Sequence, residues 1–213
     1  MTALRLDDLR QYSDLLRSRA GKAITVRFVE PRDAEELQNY YRGLSARSRY
    51  NRFFGAMSEL PGPVLDHFTH IGDDDSFTVV AIMMIGGFET IVGEARYAFQ
   101  AETDSVELGL SVDDRWQGHG VGLALLKNLA CRAAAFGASS LFGDTLRSNH
   151  AMIGLARKSG FAFGHHPDDW KLVRFAKEID VGPKDIKKDI RLKDIPCASL
   201  RLAARQLAAA SAS

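Results

Sequence analysis

The densest chemical signal in the chain is Gln117-Gly118-His119-Gly120-Val121-Gly122. Closely spaced glycines let a backbone approach a ligand and turn several N–H groups the same way. An apolar helical run starts inside this loop, at about residue 120. Its unpaired N–H groups and the positive end of its dipole add to the loop. Together they suit an anion with the size and charge of a pyrophosphate. Two common pyrophosphate motifs are excluded. The dinucleotide fingerprint needs a glycine where Leu123 stands, and the Walker pattern needs Gly-Lys-Ser/Thr, which is absent. A connecting turn is the plain alternative for such a loop taken alone. The strand before it and the apolar helix after it favour a ligand site.

The strand before the loop carries the second signal. Alternation over 106–112 puts Val106, Leu108, Leu110 and Val112 on one face and Glu107, Gly109 and Ser111 on the other. A central strand covered by helices is apolar on both faces. Here one face holds a carboxylate and two small residues, as the wall of a cleft would. Gly109 also permits a bulge that would open the sheet. A carboxylate on a cleft wall can accept a proton, directly or through water. A lysine-type amine has a pKa near 10.4 and arrives protonated at neutral pH, so its activation needs such a base. Glu107 is the candidate, with Glu94 on the preceding strand as its rival. An edge or salt-bridged glutamate is the bland alternative.

These residues need elements to hold them. Leucines at 4, 6, 9, 15 and 16 among charges predict an amphipathic helix over 4–18. Residues 24–30 alternate and are β-branched, which predicts a strand. Helices are expected from Pro31 to about Leu44 and near 63–70. Strands are expected at 77–85, 91–99 and 106–112. The helix after the glycine loop runs to about Phe136, with Gly137 as its C′ residue. A strand at 139–145 follows. Then comes a helix capped by Ser148 or Asn149 that stops at Arg157, Lys158 and Gly160. Strands at 161–164 and 171–178 finish the pattern. The order implies an α+β (α/β) architecture in which a mixed sheet of about seven strands packs between helices. The expected organisation is a helical lead-in at 1–23, one domain at 24–178, and a charged, helical appendage at 179–213.

Composition narrows the function. The chain has 213 residues, enough for one domain with a real core. Its 28 basic and 27 acidic side chains leave a net charge of +1, which argues against bulk electrostatic binding of nucleic acid. Nor is there a polybasic block for an anionic membrane. The longest apolar stretch, 77–88, falls short of the roughly 20 residues that span a bilayer. The N-terminal residues carry Asp7, Asp8 and Asp14 and lack the apolar core of a signal peptide. Cys131 and Cys197 make no disulfide framework, and no metal-ligand spacing occurs. A soluble, cytoplasmic protein is expected, with neither metal, membrane nor nucleic acid as partner.

Residues 24–178 resemble the GNAT superfamily of acyl-CoA N-acyltransferases. Three features carry the resemblance in family order: the Gln-x-x-Gly-x-Gly loop, the acidic strand before it, and Asn149-x-x-Met152-x-x-Leu155 followed by Gly160-Phe161. Leu44-Ser45-x-x-Ser48-x-Tyr50-x-Arg52-Phe53-Phe54 and Val106-Glu107-Leu108 look like segments of bacterial Pat-type protein-lysine acetyltransferases. The resemblance implies a sheet splayed at the acyl-CoA site and acetyl-CoA as co-substrate. It implies transfer of acetyl to a primary amine, a protein lysine being favoured. Glu107 would be the general base. Backbone N–H groups at Leu110, Ser111 and Val112 would meet the thioester and pantetheine. Gln117, Gly118, His119, Gly120, Val121 and Gly122 would hold the diphosphate, and Asn149 would contact the pantetheine or phosphate portion. Many family members carry a tyrosine general acid where this chain has Ala156, and Pat proteins commonly add a regulatory module. A small-molecule amine acceptor and a catalytically silent acyl-CoA-binding module are the alternatives. A homodimer is one expected assembly.

Other polar residues invite blander readings. Arg42, Arg47, Arg49 and Arg52 read as a solvated helix face, with recognition of an acidic substrate surface as the alternative. His67 and His70 read as surface caps, Cys131 as a small buried hydrophobe, and Asp73, Asp74 and Asp75 as an acidic loop.

Overall fold

The computed structural model describes residues 13–18, 20–70, 76–100, 102–135 and 138–179. Expectations for residues 1–12, for the acidic turn at 73–75, for Gly137, for Cys197 and for the appendage beyond Ile179 lie outside the described residues. Among them, eight strands form one sheet in the order β1-β2-β3-β4-β5-β6-β8-β7. The strands are β1 (Asp14–Arg17), β2 (Ala23–Phe28), β3 (Ser76–Ile85), β4 (Phe88–Gln100), β5 (Ser105–Val112), β6 (Ser140–Leu146), β7 (Ala162–His165) and β8 (Leu172–Glu178). The helices are α1 (Ala34–Gly43), α2 (Ala46–Phe53), α3 (Gly62–Thr69), α4 (Val121–Ala135) and α5 (His150–Lys158). No helix among the described residues is long and apolar enough to cross a membrane.

Two apolar clusters sandwich the sheet, and alternation along β3 shows why. Val79, Ala81 and Met83 point into a cluster with Val121, Leu125 and Leu129 of α4. Val80 and Ile82 point the other way, against Leu37, Tyr40 and Tyr41 of α1 and Phe68 of α3. Period-two patterning thus sends successive side chains to opposite helix layers. Gly93 permits the close approach of α4, since a Cβ there would stand 2.9 Å from Leu125 Cδ1.

Two expectations need correction. The segment 14–17 is a strand, antiparallel to β2, and not the end of a helix. Its burial alternates. Asp14 lies inside, where its carboxylate accepts from Asn128 Nδ2 at 2.8 Å and Arg132 Nη2 at 3.1 Å, while Leu15 is 72% exposed. Arg132 is fully buried, stacks over Phe28 and bonds Asn128 Oδ1 at 2.6 Å. The polar positions of α4 therefore anchor β1, which raises the strand count from seven to eight. The second correction is α2, a separate helix where only a helix face of arginines was expected, with no bounds of its own. Its sequence, Ala-Arg-Ser-Arg-Tyr-Asn-Arg-Phe, has no apolar stripe and none of its residues is buried. A capping bond from Ser48 N–H to the Ser45 hydroxyl starts it, and Phe54 ends it in the left-handed region.

The sheet opens between β5 and β6. These parallel strands pair at Ser105↔Ser140, Val106↔Leu141 and Glu107↔Phe142, and no further. On its other edge β5 stays laddered to β4 without interruption from Gly93↔Val112 to Gln100↔Ser105. Gly109 is therefore not a bulge. The irregularity lies between β3 and β4, where Ala81 faces Gly93 but Ile82 faces Ile91, leaving Val92 as the extra residue. Gly143 stands where the strands part. A Cβ there would meet the Leu108 carbonyl oxygen and Phe175 Cζ, each at 2.6 Å. Gly143→Ala should therefore destabilise the fold by about 1–3 kcal/mol through overpacking against backbone. A lowered thermal midpoint checks this, and an unchanged one refutes it.

Candidate active site

The open part of β5 presents its backbone to the gap. Asp113 N–H donates to the Val92 carbonyl at 3.0 Å. Antiparallel alternation then turns the N–H and C=O groups of Ser111, Gly109 and Glu107 towards β4, and those of Leu108, Leu110 and Val112 towards β6. Two contacts agree. The Leu108 carbonyl faces Gly143, and the Val112 carbonyl accepts from Gln117 Nε2 at 3.1 Å. Of the three residues expected as backbone donors, Leu110 and Val112 face the gap. Ser111 does not, and its hydroxyl is buried against Tyr40 and Glu94.

A cavity of about 490 Å³ fills the space beside this gap. Glu107, Gly109 and Leu110 of β5 line it, together with Asn51, Arg52 and Phe54, Asp144 and Thr145, Asn149 and Met152, and His166. The fold thus brings Glu107, Leu110 and Asn149 to one cavity. Residues 117–122 are not part of its lining. They lie at the C-terminal end of β5, where α4 begins. Gly118 and Gly120 have φ of 77° and 95°, a region that favours glycine. At Gly122 a Cβ would press on Leu155 of α5 at 3.1 Å, so α4 and α5 approach each other there. His119 is exposed and turns its ring back onto the Gln117 carbonyl and the Trp116 ring. Asn149 caps α5, accepting from Met152 N–H at 3.2 Å, and its Nδ2 donates to the Thr145 hydroxyl.

The two candidate glutamates have opposite surroundings. Glu94 is fully buried. Arg52 holds it with two bonds, Nε to Oε2 at 3.1 Å and Nη2 to Oε1 at 2.9 Å, and the Ser111 hydroxyl adds a third at 3.2 Å. Tyr40 completes the chain through Ser111 at 2.9 Å, and burial pushes its hydroxyl pKa well above the ordinary value. Burial alone would lower the pKa of Arg52, but the Glu94 charge holds it above its usual value. Glu107 is exposed, and among the described residues its one hydrogen bond is a long contact from Gln100 Nε2 at 3.4 Å. Asp144, the other carboxylate on the cavity wall, is taken by Arg174 through bonds of 3.0 and 2.8 Å.

The arginine cluster spanning the end of α1 and α2 is not a uniform solvated face. Arg42 pairs with Glu59 at the surface. Arg49 donates to the carbonyls of Met57, Arg42 and Leu44. Arg52 turns inwards to Glu94. No periodic signal announced Arg52 as a site residue; in the sequence it stands only within the Pat-like segment 44–54 and the arginine cluster. Asp114 ties that face to the loop after β5. Its carboxylate accepts from Ser45 N–H at 2.9 Å and from the hydroxyls of Ser45 and Ser48 at 2.9 and 2.7 Å.

Comparison with known proteins places this architecture. The profile of the acetyltransferase (GNAT) family matches residues 39–161, more than half of the chain. The chain belongs to the GNAT acetyltransferase family. An acetyltransferase of Pseudomonas aeruginosa is 28% identical over 149 residues, covering 70% of this chain and 80% of that one. The GNAT domain of S. lividans PAT superposes with a TM-score of 0.71 at 28% identity, covering 78% of this chain and 96% of that one. A cAMP-binding acyltransferase from Mycobacterium smegmatis shares the fold at a TM-score of 0.57 and 20% identity, over 91% of this chain and 55% of that one. The protein is thus a GNAT acetyltransferase with the mixed, splayed sheet of that fold, and family membership implies acetyl-CoA as co-substrate.

The Asp114 tie gives this GNAT acetyltransferase an acid limit. Partial burial opposes ionisation, but the Ser45 N–H and the two hydroxyls hold the Asp114 pKa below the ordinary carboxylate value. A lowered folded-state pKa contributes stability above the unfolded value, about 3.9, and loses it as pH falls through the folded value. Asp114→Asn should therefore cost about 1 kcal/mol at pH 6. That difference from the parent should shrink below about pH 3. Urea midpoints at both pH values read it out, and an equal gap at both would refute the assignment.

Proposed function

We propose that the protein acetylates a lysine side chain of a polypeptide, with Glu107 as general base and β5 as the platform for the thioester. One observation carries the reading. Of the two carboxylates that line the cavity, Glu107 has no ion-pair partner among the described residues, and it sits where β5 leaves β6. Glu94 is committed to Arg52, so it is the weaker candidate.

On this reading, the N–H groups of Leu110 and Val112 face the thioester and pantetheine. Ser111 serves indirectly, through its bond to Glu94. The diphosphate rests on the backbone of Gln117, Gly118, His119, Gly120, Val121 and Gly122 and on the first turn of α4. Asn149 flanks the pantetheine from α5. The acceptor arrives as an ammonium and gives one proton to Glu107. Its lone pair then attacks the carbonyl carbon, forming the C–N bond, and the C=O electron pair moves to oxygen. Collapse of the tetrahedral species breaks the C–S bond. The thiolate leaves with the remaining surplus N–H proton, giving an amide and CoA thiol. A thiolate is a good enough leaving group that Ala156, where many relatives carry a tyrosine, is no obstacle. A polypeptide acceptor is favoured by the similarity to the GNAT domain of PAT and by the exposed mouth of the cavity at Phe54, which is 42% exposed.

Glu107→Gln should lower turnover by about 10²–10⁴-fold with acetyl-CoA affinity unchanged. Thiol release with a panel of lysine peptides and small amines measures the first, and calorimetry the second. Near-parental turnover in the variant would remove Glu107 from the role. Turnover with polyamines but with no peptide would replace the polypeptide acceptor by a small one.

A further inference from the structure

We infer that Arg52 supplies a second hydrogen-bond donor to the thioester carbonyl oxygen, acting with the Leu110 N–H as an oxyanion site. The inference rests on the proposed placement of the thioester over β5. It begins with the geometry of one side chain. Arg52 spends Nε and Nη2 on Glu94. Its third nitrogen, Nη1, has no hydrogen-bond partner among the described residues and belongs to a side chain that lines the cavity. Nη1 lies directly over β5, 2.7 Å from where a Cβ of residue 109 would stand. That explains the glycine there: any side chain would displace the guanidinium.

The next backbone nitrogen along β5 is Leu110, whose N–H faces the gap. A Cβ position lies roughly 3 Å from the following nitrogen in standard backbone geometry. Nη1 and the Leu110 nitrogen are therefore no more than about 6 Å apart. Two donors at that spacing can share one oxygen at about 2.9 Å each. One comes from the sheet and the other from the helix above it.

The electrostatics suit the task. The guanidinium is fixed by a bidentate carboxylate, so it need not reorganise when charge develops on the oxygen. Glu94 balances its charge beforehand, so an arriving ammonium meets no net positive wall. When the carbonyl electron pair moves to oxygen, the extra negative charge faces a donor already aimed at it. Glu94 is then a positioning residue that acts through Arg52, and the buried Ser111–Tyr40 chain holds Glu94 in turn.

The experiment uses the whole chain and acetyl-CoA labelled with carbon-13 at the thioester carbonyl. Infrared difference spectra report the carbonyl stretch in the bound state. The parent, Arg52→Lys, Gly109→Ala and Glu107→Gln are compared. Lysine retains a cation against Glu94, which guards the fold, and Gly109→Ala leaves both charged partners in place while pushing Nη1 away. The expected result is a downward shift of the stretch on binding to the parent and to Glu107→Gln, and a smaller shift in the other two variants. Acetyl-CoA affinity by calorimetry should stay within about threefold, since the donor acts mainly on the transition state. Thiol release with lysine peptides should fall by about 10²–10³-fold in both variants, the loss expected for one oxyanion donor. A band at the same shifted position in the parent, Arg52→Lys and Gly109→Ala overturns the inference and leaves the Glu107 reading standing. A loss carried only by the KM for the peptide also overturns it, making Arg52 an acceptor contact. No shift in any of the four proteins overturns both this inference and the thioester placement beneath it. Parental turnover in Glu107→Gln, with the shifts as expected, removes the base but not the donor.

Discussion

Everything at the candidate site follows from β5 and β6 parting after three shared pairs. Up to Glu107 and Phe142 the two strands satisfy each other. Beyond that point Leu110 and Val112 keep their N–H groups turned towards a neighbour that has moved away. Backbone polar groups in a folded protein are paired almost without exception. The protein answers this demand only in part: Gln117 reaches back to the Val112 carbonyl. The remaining donors make a ladder edge in the middle of a sheet, a place where a ligand with amide and carbonyl groups can complete the pattern. A pantetheine arm has such groups at suitable spacing, which is the physical sense in which this gap fits an acyl-CoA.

The same parting sets the electrostatics. On the face of the sheet beneath α2, β4 and β5 present Glu94 and Glu107 within a few residues of each other. A buried carboxylate without a partner is costly, and burial of a charge is tolerated when it is paired and hydrogen-bonded. Glu94 meets that condition through Arg52 and Ser111. Glu107 avoids it by lying at the cavity wall in reach of water. One carboxylate is thereby fixed as a charge that organises its neighbours, and the other is left available to exchange a proton. Identity of side chain does not separate the two; depth and partners do.

Much of this fold was legible in the sequence, for reasons that are themselves physical. Residues 76–85 alternate between two apolar layers, so the strand was plain. The loop at 117–122 combines glycines that take left-handed backbone with an apolar helix start. Asn149 and the Arg157-Lys158-Ser159-Gly160 ending mark both ends of α5. What stayed hidden was decided by tertiary contact. Asp14 and Leu16 look helical beside the other leucines, yet the buried Arg132 draws residues 14–17 into the sheet. The helix α2 has no apolar stripe to reveal it, because apart from Phe53 its ties to the sheet are polar. Gly109 was visible as an exception, but its reason was not. A glycine in a strand signals either a bulge or a close approach, and only the third dimension distinguishes them.

The polar face of α2 holds that helix by directional bonds at both ends. Ser45, Ser48 and Arg52 fall at helical spacing of three and four residues, so they project to one side. The first two meet Asp114, at the start of the loop that leads to α4. The third meets Glu94, beneath the open stretch of β5. One short helix thus bridges the loop proposed for the diphosphate and the strand proposed for the thioester. Its position ties the loop to the strand, and a shift of α2 would move the guanidinium relative to Leu110 while straining the Asp114 bonds. An apolar stripe would hold a helix against a sheet without fixing its position along the strand, whereas directional bonds at both ends do fix it. The loss of apolar patterning in this segment is therefore the signature of a helix whose placement matters more than its burial.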